Sequence, residues 1–205
     1  MMPIKAKKEP PKFQKLVREP GNAFLRRHPA PTQKQWKTHA YWARCATDLY
    51  QSYGGICAYS CHFIPSDTGW RTVEHFKPKD LNPKDAYEWL NYRLVCGVLN
   101  GRKGISDVLD PFELVPNRFC IRFPALLVRP CDQVQGPLLK KVEDTITVLG
   151  LNDEGSCLQR RQGFVRDYCL GWCKFDLLER DAPFLASEIR RQGLIDSLPT
   201  VMSLR

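Results

Sequence analysis

The sequence predicts an α+β fold: a small strand–loop–strand–helix core, flanking helices and a mainly helical last third. Three observations predict it. Thr72-Val73-Glu74-His75-Phe76 and Asn91-Tyr92-Arg93-Leu94-Val95-Cys96 each read as a short strand, with the loop formers Pro78, Asn82 and Pro83 between them. Gly97 to Lys103 follows as the opening of a helix. Beyond about residue 131, apolar residues recur at the three-to-four spacing of amphipathic helices.

Taken in order, the chain divides into an arm (1–31), a core with its preceding helix (32–130) and a helical extension packing on that core (131–205). The arm is rich in proline and in Lys5, Lys7, Lys8, Lys12, Lys15, Arg18, Arg26 and Arg27. Proline disfavours regular structure and like charges repel, so an extended, partly ordered strap is expected. Thr32 reads as an N-cap, and Trp36, Ala40, Ala43, Ala46, Leu49 and Tyr50 as one helix face that stops at Gly54-Gly55. His39 falls inside that helix beside aromatic residues and is expected to be structural. Phe119 to Phe123 alternates as a strand, and Leu126-Leu127-Val128 continues the apolar run up to Pro130. Leu138, Val142, Thr145 and Leu149 form a helix face ended by Gly150. A long helix is expected from the acidic turn at Asn152–Ser156 to about Glu179, and a last one from Pro183. On this reading Cys169 and Cys173 share one helix face, and Arg160, Arg161, Arg166, Arg190 and Arg191 a solvated one.

Composition narrows the function classes. The 205-residue chain is 43% hydrophobic and 26% charged, ordinary for a globular protein, but its net charge of +9 favours a polyanionic partner, nucleic acid above all. Nine cysteines form no even, regular framework, and the basic start of the chain carries no apolar signal region. Cytoplasmic location with reduced thiols is therefore expected. No run approaches the ~20 apolar residues of a membrane span, so no membrane partner is expected. No Gly-rich phosphate loop is present; ATP, if used, would be bound by another protein.

The chemistry concentrates between Cys57 and Gly104. Of the four histidines, only His75 follows a carboxylate and precedes amide side chains at ordered spacing, Glu74-His75, then Asn91, then Asn100. A neutral histidine can take a proton from water near neutral pH. A carboxylate and an amide oxygen are hard ligands suited to Mg²⁺ or Mn²⁺. A hard cation beside a base suits phosphodiester hydrolysis. Lys103, Arg102, Lys77 and Lys79 supply charge for neighbouring phosphates.

This ordered set resembles the HNH endonuclease family, whose ββα-metal motif opens with an acid-or-His/His pair, continues with Asn and closes with His or Asn. The resemblance implies Glu74 and Asn100 as ligands of one Mg²⁺ or Mn²⁺. It also implies His75 as general base and Asn91 as the amide that braces the loop and orients it. The runs EHFKPK, EWLNYRLVC and NGRKG are similar to small HNH proteins of Septu-type anti-phage systems, which work beside an AAA- or ABC-like ATPase. That likeness implies a nuclease effector acting on nucleic acid, DNA before RNA, with an ATPase partner.

The sequence also departs from the family. Many relatives carry two Cys-x-x-Cys knuckles around a structural zinc. Here Cys57 and Cys61 stand one residue too far apart, and the partner position of Cys96 is Leu99. Packing, and not Zn²⁺, is expected to hold this degenerate knuckle. The departure keeps a second function open, a non-catalytic HNH-fold subunit that binds nucleic acid or anchors an ATPase.

Overall fold

A computed structural model describes residues 1–203. With 47% helix against 10% strand, the latter in two small antiparallel sheets, the protein is α+β and mainly helical. It divides into two compact units: Lys5–Gly55 with Ile64–Ile105, and Met1–Ile4 with Ile56–Phe63 and Ser106–Arg205. This differs from the expected serial division, because the N-terminal arm folds into the unit holding the Glu74–Asn100 motif.

In that first unit the arm is helical, not an extended strap. A wide turn over Gln14–Arg18 runs into α1 (Glu19–Arg27), and Phe13, Val17 and Phe24 are buried. Phe13 meets Trp89 and Tyr92 edge-on at 5.5 and 5.9 Å. The like charges do not unravel the segment, since Arg18 pairs with both Glu9 and Glu88. Pro20 lies inside the continuous helical run from Phe13 to Arg27, and the Leu16 carbonyl four residues before it, which Pro20 cannot serve, accepts from Arg44 Nη1 at 3.1 Å.

Helix α2 (Gln33–Thr38) opens on Thr32 as expected. Its hydroxyl accepts from the Gln35 N–H, and Gln35 Oε1 accepts from the Thr32 N–H at 2.8 Å. The expected continuous helix then breaks at His39. The Thr38 hydroxyl and His39 Nδ1 both compete for the Gln35 carbonyl, and the His39 ring stacks on Phe24 at 4.0 Å. A tight 3₁₀ turn (Tyr41–Cys45) leads into α3 (Ala46–Ser52), which ends where Gly54 and Gly55 take φ of +58° and +72°. Strand β1 (Arg71–His75) pairs antiparallel with β2 (Tyr92–Cys96), with Arg71 opposite Cys96 and His75 opposite Tyr92. Helix α4 (Gly97–Lys103) follows at once.

The second unit contains the hairpin β3 (Phe119–Arg122) and β4 (Leu127–Pro130). A Cys120–Cys131 disulfide closes it, so the nine thiols are not all reduced as expected. Helix α5 (Pro137–Leu149) buries Val142, Thr145 and Leu149 and stops at Gly150. The expected long helix divides into α6 (Gln159–Cys169) and α7 (Phe175–Asp181), because the Asp167 carbonyl accepts from the Trp172 and Cys173 N–H groups and turns the chain. Cys169 and Cys173 therefore do not share a helix face. Helices α8 (Pro183–Arg191) and α9 (Leu198–Val201) complete the unit. Arg161 is not solvated: it is buried, donating to the Leu126 and Leu151 carbonyls and to Asn152 Oδ1. Among the described residues, no helix is long and apolar enough to cross a membrane.

Candidate active site

Glu74 and Asn100 are brought together by a simple correspondence of periods. Alternate residues of β1 face α4, while every third residue of α4 faces back. Trp70 lies over Gly97, Thr72 meets Asn100 and Glu74 meets Lys103, forming three successive rungs. In the second rung Asn100 Nδ2 donates to Thr72 Oγ1 at 2.9 Å, a bond that does not use the amide oxygen, the atom of this side chain that could ligate a hard cation. In the third, Lys103 Nζ lies 2.8 Å from Glu74 Oε1.

Lys103 was expected on a phosphate. Its side chain is instead 1% exposed, donates to the Phe76 carbonyl at 2.9 Å and lies 5.5 Å from the centre of the Phe76 ring. Glu74 is 2% exposed. A buried carboxylate needs such a partner, since an isolated charge out of water is costly.

His75 is half-buried and held on several sides. Its Nε2 lies 3.0 Å from the Ala86 carbonyl. Only a protonated nitrogen can donate to a carbonyl, so in the neutral ring Nε2 carries the hydrogen and Nδ1 the lone pair. Trp42 and Tyr92 present perpendicular rings with centroids at 4.7 and 5.2 Å. Burial first, then Lys79, pushes the His75 pKa down to about 3. The ring is therefore neutral at cellular pH.

Asn91 braces the loop between the strands. Its Oδ1 accepts from the Lys77 N–H at 2.8 Å, and its Nδ2 donates to the carbonyls of Lys77 and Asp85, each at 3.0 Å. Three bonds from one buried amide fix both ends of the segment that presents the Ala86 carbonyl to His75.

A cleft of about 320 Å³ opens over these groups, lined by Trp42, Glu74, His75, Lys79, Asp80 and Asn100 among others. Lys79 reaches it, 3.6 Å from Asp80 and 5.9 Å from the Trp42 ring centre. Lys77 and Arg102 are not among its lining residues. The Lys77 ammonium pairs with Asp85 at 3.3 Å, and Arg102 stands half-buried in the last turn of α4. The knuckle residues are divided between the units, Cys57 and Cys61 in one and Cys96 in the other. Among the described residues, no group of three or more His, Cys, Asp or Glu side chains is arranged to hold a metal. The oxygen pair Glu74 and Asn100 remains a donor set suited to Mg²⁺, which keeps several of its waters.

Sequence reasoning missed Thr72, Trp42, Asp80 and the Ala86 carbonyl. Thr72 was legible, since it shares the inward face of β1 with Glu74 two residues away. Asp80 closes the same EHFKPKD run. Trp42 had no local signal, because it reaches His75 only through the fold.

Charge separates the two units. The first carries 18 Lys and Arg against 8 Asp and Glu, a formal +10; the second carries 13 against 14, or −1. The excess of the whole chain thus belongs to the unit with the cleft. Compared with known proteins, the chain matches no family model and no curated protein.

Proposed function

We propose that the protein is a metal-dependent HNH endonuclease hydrolysing phosphodiester bonds, with DNA as the favoured substrate and anti-phage defence beside an ATPase as its setting. The observation that carries the reading is the convergence of Glu74, His75 and Asn100 on one cleft, with the histidine held as the correct tautomer. The concentration of positive charge in the same unit supports a polyanionic substrate.

Glu74 and Asn100 would hold a hard divalent cation, which when bound neutralises charge on the phosphate and leaving oxygen. The chain supplies the remainder. The Ala86 carbonyl holds Nε2–H, so Nδ1 accepts a proton from the attacking water. Asn91 keeps the carbonyl in place. Lys79, at the cleft, attracts a neighbouring phosphate. In-line attack breaks the P–O3′ bond and leaves 5′-phosphate and 3′-hydroxyl ends.

One observation favours a second reading, the non-catalytic binding or anchoring subunit: Glu74 is already neutralised by Lys103. The test is incubation of plasmid DNA and total tRNA with the protein and with His75→Ala, in Mn²⁺ or EDTA, alongside Mn²⁺ titration. Metal-dependent cutting lost in the variant is expected. Parental cutting by folded His75→Ala removes His75 from the mechanism, and absence of both cutting and Mn²⁺ binding overturns the nuclease.

A further inference from the structure

We propose that Trp70 is a nucleobase-stacking site beside the cleft, an inference that rests on the nucleic-acid reading above. Trp70 is 71% exposed, although a tryptophan ordinarily gains much by burial. It is nonetheless fixed. Its indole lies against the backbone of Gly97, where an added β-carbon would fall 2.2 Å from a ring atom. The Trp70 carbonyl accepts from the Gly97 N–H at 2.7 Å, tying strand entry to helix start. One broad face is thus supported by backbone and most of the ring stands in solvent. The site spends a glycine at the first position of α4 to let the ring approach.

Its place in the fold says what it serves. Trp70, Thr72 and Glu74 occupy the same face of the strand segment, and their partners Gly97, Asn100 and Lys103 run along one side of α4. At a strand rise of ~3.3 Å per residue, Trp70 stands about 7 Å from the Thr72–Asn100 rung and about 13 Å from Glu74. That is a few nucleotides along a strand whose phosphate lies at the cleft. The ring belongs to the unit with the +10 charge, so the partner complementary to its surroundings is an anion with aromatic faces. A nucleic-acid strand with an unstacked base has both properties, and every base offers a π face.

The experiment uses full-length protein carrying His75→Ala, in EDTA, so that binding is read without cleavage. The probes are short fluorescein-labelled single-stranded DNA of mixed sequence, the equivalent RNA, and a DNA series with single abasic positions; the readout is anisotropy. Trp70→Ala should weaken DNA binding about tenfold, and Trp70→Phe should restore most of it. One abasic position should weaken parental binding to a similar degree and leave Trp70→Ala with no further loss there. An RNA-only effect would assign the same stacking site to RNA.

Unchanged DNA and RNA affinity in Trp70→Ala, or an equal loss at every abasic position, overturns the stacking site and leaves the nuclease reading intact. No binding of either polymer by the parent overturns both. If Trp70→Ala instead loses only a protein partner in pull-down while its oligonucleotide affinity holds, the ring is a protein contact and the proposal fails.

Discussion

Lys103 Nζ and Glu74 Oε1 stand 2.8 Å apart with both side chains almost wholly buried, so the expected metal ligand carries its own internal cation. Such a pair contributes little net stability when whole, yet removing one member strands the other charge out of water. Lys103→Met should lower the unfolding free energy by about 3–5 kcal/mol in urea denaturation. Adding Glu74→Leu should recover much of that loss, because two apolar side chains need no charge compensation. A Lys103→Met protein as stable as the parent would show that Glu74 is compensated elsewhere.

Asn91 uses both ends of its amide on the backbone of Lys77 and Asp85, and this sets its substitution pattern. Asn91→Ala leaves the Lys77 N–H and the Lys77 and Asp85 carbonyls without this partner, at an expected cost of about 3 kcal/mol. Asn91→Asp should be nearly as damaging, since a carboxylate accepts from Lys77 but cannot donate to either carbonyl. Thermal melts would decide it. Asp tolerated at parental stability would assign the bracing role to Oδ1 alone.

The core was legible in sequence because its signals are local. Glu74-His75 sits on a strand, Asn91 precedes another, and Gly97 opens the helix that carries Asn100. The arm was not legible, because Pro10, Pro11 and Pro20 disguise a helix whose buried face is Phe13, Val17, Gly21 and Phe24. Lys103 was misread for a related reason. Sequence shows a lysine near other basic residues; only register shows that it meets Glu74. Trp42 reaches the cleft through tertiary packing, so the same limit applies to it.

One buried and one half-buried histidine, His62 and His75, make stability depend on pH. Burial first, then positive neighbours, lowers His62 and His75 to about 3: Arg161 and Arg160 for His62, Lys79 and Lys103 for His75, with Asp80 opposing. Unfolding restores an ordinary histidine value, so between about pH 6.5 and 3 the unfolded chain binds more protons. Stability should be unaffected by these groups above pH 6.5 and fall as the pH drops below it, by up to about 1.4 kcal/mol per pH unit for each histidine. NMR should show both imidazoles neutral at pH 5. A charged His75 at that pH would contradict the packing described here.

The disulfide makes a chemical prediction. Nine cysteines with one bridge leave seven thiols. Protein isolated without reductant and titrated under denaturing conditions should therefore yield seven, rising to nine after reduction. With Cys120 and Cys131 at a sequence separation of 11, loop-closure entropy sets the expected loss for Cys120→Ala at about 3 kcal/mol. Nine thiols before reduction would restore the reduced state expected from composition.

The Ala86 carbonyl accepts from two donors, His75 Nε2 at 3.0 Å and Tyr92 Oη at 2.8 Å, and this separates orientation from chemistry. Tyr92→Phe removes one donor and leaves no orphan, because the carbonyl keeps the histidine. The expected cost is about 1 kcal/mol of stability. Metal-dependent cleavage should fall less than about tenfold, since His75 retains the bond that fixes its tautomer. His75→Ala should lose about a thousandfold or more, as expected when the proton acceptor itself is removed. The comparison is single-turnover cleavage of one labelled DNA by both variants under one metal concentration. Equal losses would mean that Tyr92, and not the backbone carbonyl, determines where the imidazole points.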